Sequence, residues 1–228
     1  MSTIAVYFMP GLAASATIFE RIDLPQEQFE IHLLEWEIPL SHESLQDYAK
    51  RIAEKITHEA PVLIGVSFGG ILVQEMADFM NTRKVIIISS VRSCHDFPRR
   101  MKIAKTTKAY KLLPMRLLLN LENLTKFSFG ERLNKRLKLY EKFLSVRDLY
   151  YLEWAVKKVI MWERTDIDVF PIKNIKECIV VKGGTHAMIL NKYRWLNTNL
   201  PAIILGTYQD NKQEEASVII DKQAVNNI

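Results

Sequence analysis

Cysteine is scarce in this chain: only Cys94 and Cys178 occur in 228 residues, and neither sits in a CxxC pair or in a Cys/His cluster with metal-ligand spacing. A disulfide framework is therefore not indicated, and the two thiols are expected to be reduced and packed, as in a cytoplasm-like compartment. The start, Met1-Ser2-Thr3-Ile4-Ala5-Val6, lacks a basic n-region and runs directly into a strand pattern, which predicts no signal peptide. No apolar run approaches the ~20 residues that span a bilayer, so no membrane span is expected. What is present is globular composition: 48% hydrophobic and 25% charged residues, in a chain long enough to bury one sizeable core. Disorder throughout is excluded.

Acidic residues are thin in one region. Between Arg92 and Arg147 there are fifteen Lys/Arg and only four acids, Asp96, Glu122, Glu131 and Glu141, an excess larger than the whole-chain net charge of +5. The rest of the chain is consequently net acidic. A basic face of this kind can attract an anionic substrate or surface, but no nucleic-acid motif accompanies it. A solvated helix surface is the preferred explanation of the charge, and no nucleic-acid partner is expected.

Ile4 to Met9 has strand length and is followed by the turn-forming Pro10-Gly11-Leu12-Ala13-Ala14-Ser15. A second strand is predicted over Phe29 to Leu34. After Ser41 or Ser44 as cap, the spacing of Leu45, Tyr48, Ala49, Ile52 and Ile56 predicts a helix. Val62 to Val66 and Lys84 to Ser90 read as strands, the latter apolar on both faces as parallel strands under helices tend to be. From Phe97 to Trp162 no strand run appears, and the leucine-rich helical pattern predicts an insert that caps the carboxyl edge of the sheet or packs as plain core-facing helices. A last strand over Glu177 to Val181 leads into Lys182-Gly183-Gly184-Thr185-His186. The expected fold class is α/β, a mostly parallel sheet flanked by helices with a helical cap insert over about 97–162. A single domain is expected over 1–206, with a loosely docked polar tail over 207–228.

Gly65-Val66-Ser67-Phe68-Gly69 stands between a strand and a helix pattern, the context of a nucleophile elbow. A turn that sharp leaves no room for side chains at the flanking positions, and it holds the serine out at the strand end. A serine hydroxyl needs a base to take its proton as it attacks, and an imidazole titrating near neutrality can do that. His186 is the candidate. His32 lies within a strand pattern, His42 and His58 flank a helix, and His95 follows a strand end and is the reserve.

These residues resemble the α/β-hydrolases: a strand followed by Pro10-Gly11-Leu12, an elbow at Ser67 and a Gly-Gly-x-His loop at His186, over roughly residues 4 to 196. The resemblance implies Ser67 as nucleophile, His186 as base and the backbone N–H groups of Leu12 and Phe68 as the oxyanion hole. It implies Asp168 as the acid, from the match of Asp166-Ile167-Asp168-Val169-Phe170-Pro171 to the end of the family's Gly-Asp-x-Asp stretch. That acid follows a buried strand in similar proteins, whereas Trp162-Glu163-Arg164-Thr165 is polar. Either Val159-Ile160-Met161-Trp162 serves as the strand or the strand is missing. The implied activity is hydrolysis of a small ester, thioester or related acyl substrate, with no metal or organic cofactor. Two other readings stay open, a hydrolase-like binding protein without turnover and a different reaction on the same fold.

Overall fold

The computed structural model describes residues 3–112, 142–165, 177–183, 188–209 and 218–224. Its centre is a six-stranded sheet built from β1 (Ile4–Met9), β2 (Phe29–Leu33), β3 (Val62–Val66), β4 (Lys84–Ile88), β5 (Glu177–Gly183) and β6 (Val218–Ala224). The spatial order is β2-β1-β3-β4-β5-β6, the first five strands parallel and β6 antiparallel on β5.

The strands alternate their side chains between two apolar layers, as the two-residue period requires. Tyr7, Met9, Leu63, Val85, Ile87 and Val180 face one side, where they pack with residues of α1 (Leu45–Ala53), α2 (Phe68–Met76) and α4 (Leu149–Ile160). Val6, Phe8, Ile64, Ile86 and Ile179 face the other, against Ile18, Phe19, Met188 and Ile189 of α5 (Met188–Asn191), and Leu196, Leu200 and Ile203 of α6 (Tyr193–Leu205). Both faces of β3 and β4 are thus covered, and all ten of their residues are buried. The helix predicted after Ser44 forms as α1, with the Ser44 hydroxyl accepting from the Asp47 N–H at 2.9 Å.

Two expectations are corrected. Val159 and Ile160 do not form a strand: they close α4, and Met161 follows as its cap. The helix wins because Asp148 caps it by accepting from the Tyr151 N–H at 2.7 Å, and because Tyr151, Leu152 and Ala155 recur at helical spacing on a buried face. Beyond it, Trp162 and Arg164 are tied to α2 instead of entering the sheet. The Trp162 indole donates to Glu75 at 2.8 Å, and Arg164 donates to the Gln74 carbonyl at 3.1 Å and to Asp78 at 3.0 Å. Since β4 pairs directly with β5, Val85 opposite Cys178 through Ile88 opposite Val181, no strand lies between them.

The second correction concerns the expected tail. Residues 218–224 form β6, paired along its length with β5 from Gly183 opposite Val218 to Glu177 opposite Ala224. Within the segment expected to form the cap, α3 (Arg99–Thr107) and α4 are helical as expected, and the described residues between β4 and β5 hold no strand, only an isolated bridge from Leu144 to Ala14. α3 has no buried residue, so its Arg99, Arg100 and Lys102 belong to an outer basic surface.

Candidate active site

Ser67 follows the last residue of β3 and precedes the first residue of α2, with φ 53° and ψ −116°. A positive φ is rare for a residue with a side chain, and here the surroundings enforce it. The Ser67 N–H donates to the Ile88 carbonyl at 3.0 Å, its carbonyl accepts from the Gly70 N–H at 3.0 Å, and it also accepts from the Ser90 hydroxyl at 2.7 Å. The glycines are needed for close approach. A Cβ on Gly65 would lie 2.3 Å from the Gly69 carbonyl oxygen, and one on Gly69 would lie 2.3 Å from the Pro10 carbonyl oxygen.

The register of β1 with β3, Met9 opposite Gly65, delivers the Pro10-Gly11-Leu12 loop beside the elbow. A Cβ placed on Gly11 would stand 3.7 Å from the Ser67 Cβ. Three contacts fix the loop. The Trp36 indole N–H donates to the Gly11 carbonyl at 2.7 Å, the Ala13 N–H donates to the Tyr151 hydroxyl at 3.1 Å, and the Ser145 N–H donates to the Ala13 carbonyl at 3.0 Å. Trp36 also stacks on Phe68, centroids 4.8 Å apart and planes within 8°. Loop and elbow therefore share one rigid aromatic wall. Among the described residues, neither the Leu12 N–H nor the Phe68 N–H has a hydrogen-bond acceptor.

Burial lifts the Tyr151 hydroxyl pKa well above the usual tyrosine value, so this group stays a neutral acceptor for the Ala13 N–H. Further out, the Glu43 carboxylate is held below the usual range, chiefly by its hydrogen bond from Arg51. It accepts from Arg51 Nε at 2.8 Å and from the Leu40 N–H at 2.8 Å. Its own carbonyl accepts from the Trp154 indole at 2.8 Å, which ties the segment leading into α1 to α4 behind the aromatic wall.

Of the expected site residues, the structure brings Leu12, Ser67 and Phe68 together. Asp168 and His186 lie outside the described residues. The described chain does reach towards both: Arg164 is anchored on α2 with its carbonyl accepting from the Cys94 N–H at 2.9 Å, and β5 ends at Gly183. The carboxyl end of β5 is beside that of β4, the Ser89 N–H donating to the Val181 carbonyl at 3.1 Å, and β4 in turn holds Ser67. The reserve candidate His95 is exposed in a short 3-10 turn. Trp36, Ser90 and Tyr151, which support the site, were not signalled in the sequence. Each reaches it from another element, and only the fold makes them neighbours.

A cleft of about 740 Å³ opens at the opposite edge of the sheet, lined by Thr3, His58, Arg83, Lys84 and Gly206 among others. Open α/β sheets bind ligands beyond the carboxyl ends of their strands, and Ser67 marks that edge.

No protein-family model matches this chain, and no curated protein matches it in sequence. Solved structures do match. A carboxylesterase from Nitrososphaera gargenis superposes with a TM-score of 0.59 at 14% identity, over 90% of this chain and 92% of that one. MenH from S. aureus gives 0.55 at 11% identity, over 91% and 96%. A lipase-esterase related protein from Clostridium acetobutylicum gives 0.51 at 16% identity, over 86% and 93%. At such identities the likeness is one of fold, and the fold is that of the α/β-hydrolases.

Proposed function

We propose that the protein is a serine hydrolase that cleaves a small ester, thioester or related acyl substrate through an acyl-enzyme on Ser67. The observation that carries this reading is the strained elbow: Ser67 at φ 53°, held between β3 and α2 by glycines that no larger residue could replace. Such strain is kept where the surroundings over-determine it, commonly at sites of chemistry. In the proposed reaction Ser67 Oγ attacks the acyl carbon while His186 takes its proton. The oxyanion is met by the N–H groups of Leu12 and Phe68, which have no acceptor among the described residues. The leaving group departs with the proton from His186, and a water activated by the same imidazole releases the acid and regenerates Ser67. Asp168 is assigned to hold the imidazole in its useful tautomer.

A second reading has its own observation. The strand expected to precede Asp168 has no place between β4 and β5, and Val159–Ile160 is helical. This favours a hydrolase-fold protein that binds an acyl ligand with weak turnover or none.

Ester hydrolysis by the wild type and by Ser67→Ala, Asp168→Asn and Asp166→Asn separates the two. The hydrolase reading expects Ser67→Ala to lose several orders of magnitude in rate, Asp168→Asn a few thousand-fold and Asp166→Asn little. Under the second reading the wild-type rate is already low, and neither aspartate variant changes it by more than about tenfold.

A further inference from the structure

Away from Ser67, three metal-ligating side chains converge on the face of β2. Glu30 and His32 are two residues apart on that strand and so share a face, and His58 reaches them from the loop after α1. One carboxylate oxygen and one ring nitrogen from each histidine all lie within 4.8 Å of one another. The closer approaches are His32 Nε2 to Glu30 Oε1 at 3.1 Å and His58 Nε2 to Glu30 Oε2 at 3.8 Å.

Tyr7 of β1 orients both imidazoles. It stands opposite His32 in the strand register and stacks on its ring at 4.6 Å and 16°. Its hydroxyl lies 2.7 Å from His58 Nδ1. With the proton on Nδ1 and donated to Tyr7, the Nε2 lone pair of His58 points to the other two ligands. An outer partner of this kind is what fixes the tautomer of a metal-bound histidine. His32 Nε2 is itself buried and has no hydrogen bond, because the Glu30 oxygen lies outside hydrogen-bond geometry. A buried ring nitrogen without a hydrogen bond is costly in a purely structural cluster, and a cation would satisfy it.

We propose that Glu30, His32 and His58 form a site for one divalent cation of the zinc class. Two imidazoles and a carboxylate suit zinc, and tetrahedral ligands at about 2.0–2.2 Å from the ion stand about 3.3–3.6 Å apart. The distances here need only side-chain adjustment, which Glu30 and His58 have freedom to make, being 52% and 38% exposed. The fourth ligand would be a water molecule. The bound ion would staple edge strand β2 to the segment that enters β3. The site is independent of the catalytic reading, so Ser67→Ala is expected to bind zinc as the wild type does.

The test is a titration of the full chain, stripped by chelator, with Zn²⁺ against a chromophoric competitor. One equivalent is expected, with a raised melting temperature. His32→Ala and His58→Ala are each expected to weaken binding by about 100-fold or more, and Tyr7→Phe by about tenfold at unchanged stoichiometry. Should either histidine variant fail to fold, Glu30→Gln on the exposed side is expected to weaken binding at least about tenfold. X-ray absorption of the zinc-loaded wild type is expected to show nitrogen and oxygen donors at about 2.0–2.2 Å. No bound zinc, zinc retained at full affinity by the histidine and Glu30 variants, or a sulfur donor near 2.3 Å would overturn the proposal.

Discussion

Ser67 sits in a backbone conformation that costs of order 1–3 kcal/mol for a residue with a side chain. The local sequence alone would relax it. The hydrogen bonds with Ile88, Gly70 and Ser90 hold it, and so does packing at Gly65 and Gly69 too tight for any other residue. Ala13, at φ 57°, is the same device on the facing loop, and its N–H depends on the buried Tyr151 hydroxyl. Tyr151→Phe would leave that N–H unsatisfied, so a loss of about 1–3 kcal/mol is expected from urea unfolding. Acylation of Ser67 is expected to slow with it, because the Leu12 amide precedes Ala13 directly. An unchanged unfolding midpoint would show that the loop does not lean on this hydroxyl. At Glu43 the pH dependence has a definite sign. Its folded pKa lies below the unfolded value, so the stability it adds is complete above about pH 4.3 and fades as pH falls through the lowered value. The stability difference between wild type and Glu43→Gln is therefore expected to be about 1.5–3 kcal/mol at pH 7 and to shrink steadily below pH ~4. A difference equally large at pH 3 would contradict the assignment.

Among the elements, β6 makes the sharpest prediction. It covers the outer edge of β5, whose backbone donors and acceptors would otherwise be open to a neighbouring chain. A chain stopped after Tyr208 is expected to aggregate or to melt at lower temperature than the full chain, by light scattering and calorimetry. A monodisperse truncation with an unchanged melting temperature would mean that β6 is dispensable. The sequence hid this strand because Val218-Ile219-Ile220 is brief and set among polar residues, where only its partner β5 makes pairing worthwhile. The other strands were legible: β1, β3 and β4 are apolar runs of strand length stopped by turn residues, and Ser44 signalled the start of α1. Val159 to Trp162 misled because an apolar run of four fits either period. The helix was decided eleven residues earlier, by the Asp148 cap, and by the buried face that Tyr151 and Trp154 present to Tyr48 and Trp36. Glu30, His32 and His58 were visible as residues but not as a cluster, since strand pairing and a loop bring them together.

At the scale of the molecule, the parallel order β2-β1-β3-β4-β5 places the ends of β1, β3, β4 and β5 along one edge of the sheet. The Pro10-Gly11-Leu12 loop and the elbow meet there, the end of β5 lies on the same edge one strand away, and α4 backs loop and elbow with Tyr151 and Trp154. Four segments far apart in sequence thus border the proposed site, while the zinc site proposed on β2 and the cleft at the opposite edge lie away from it. Whether Ser67 is an activated nucleophile is the claim on which the functional reading rests. Intact-mass spectrometry after exposure to a fluorophosphonate, followed by peptide mapping, tests it most directly. The expected result is a single adduct per chain, on the peptide containing Ser67 and absent from Ser67→Ala; no adduct on the wild type, or one that persists in the variant, would contradict it.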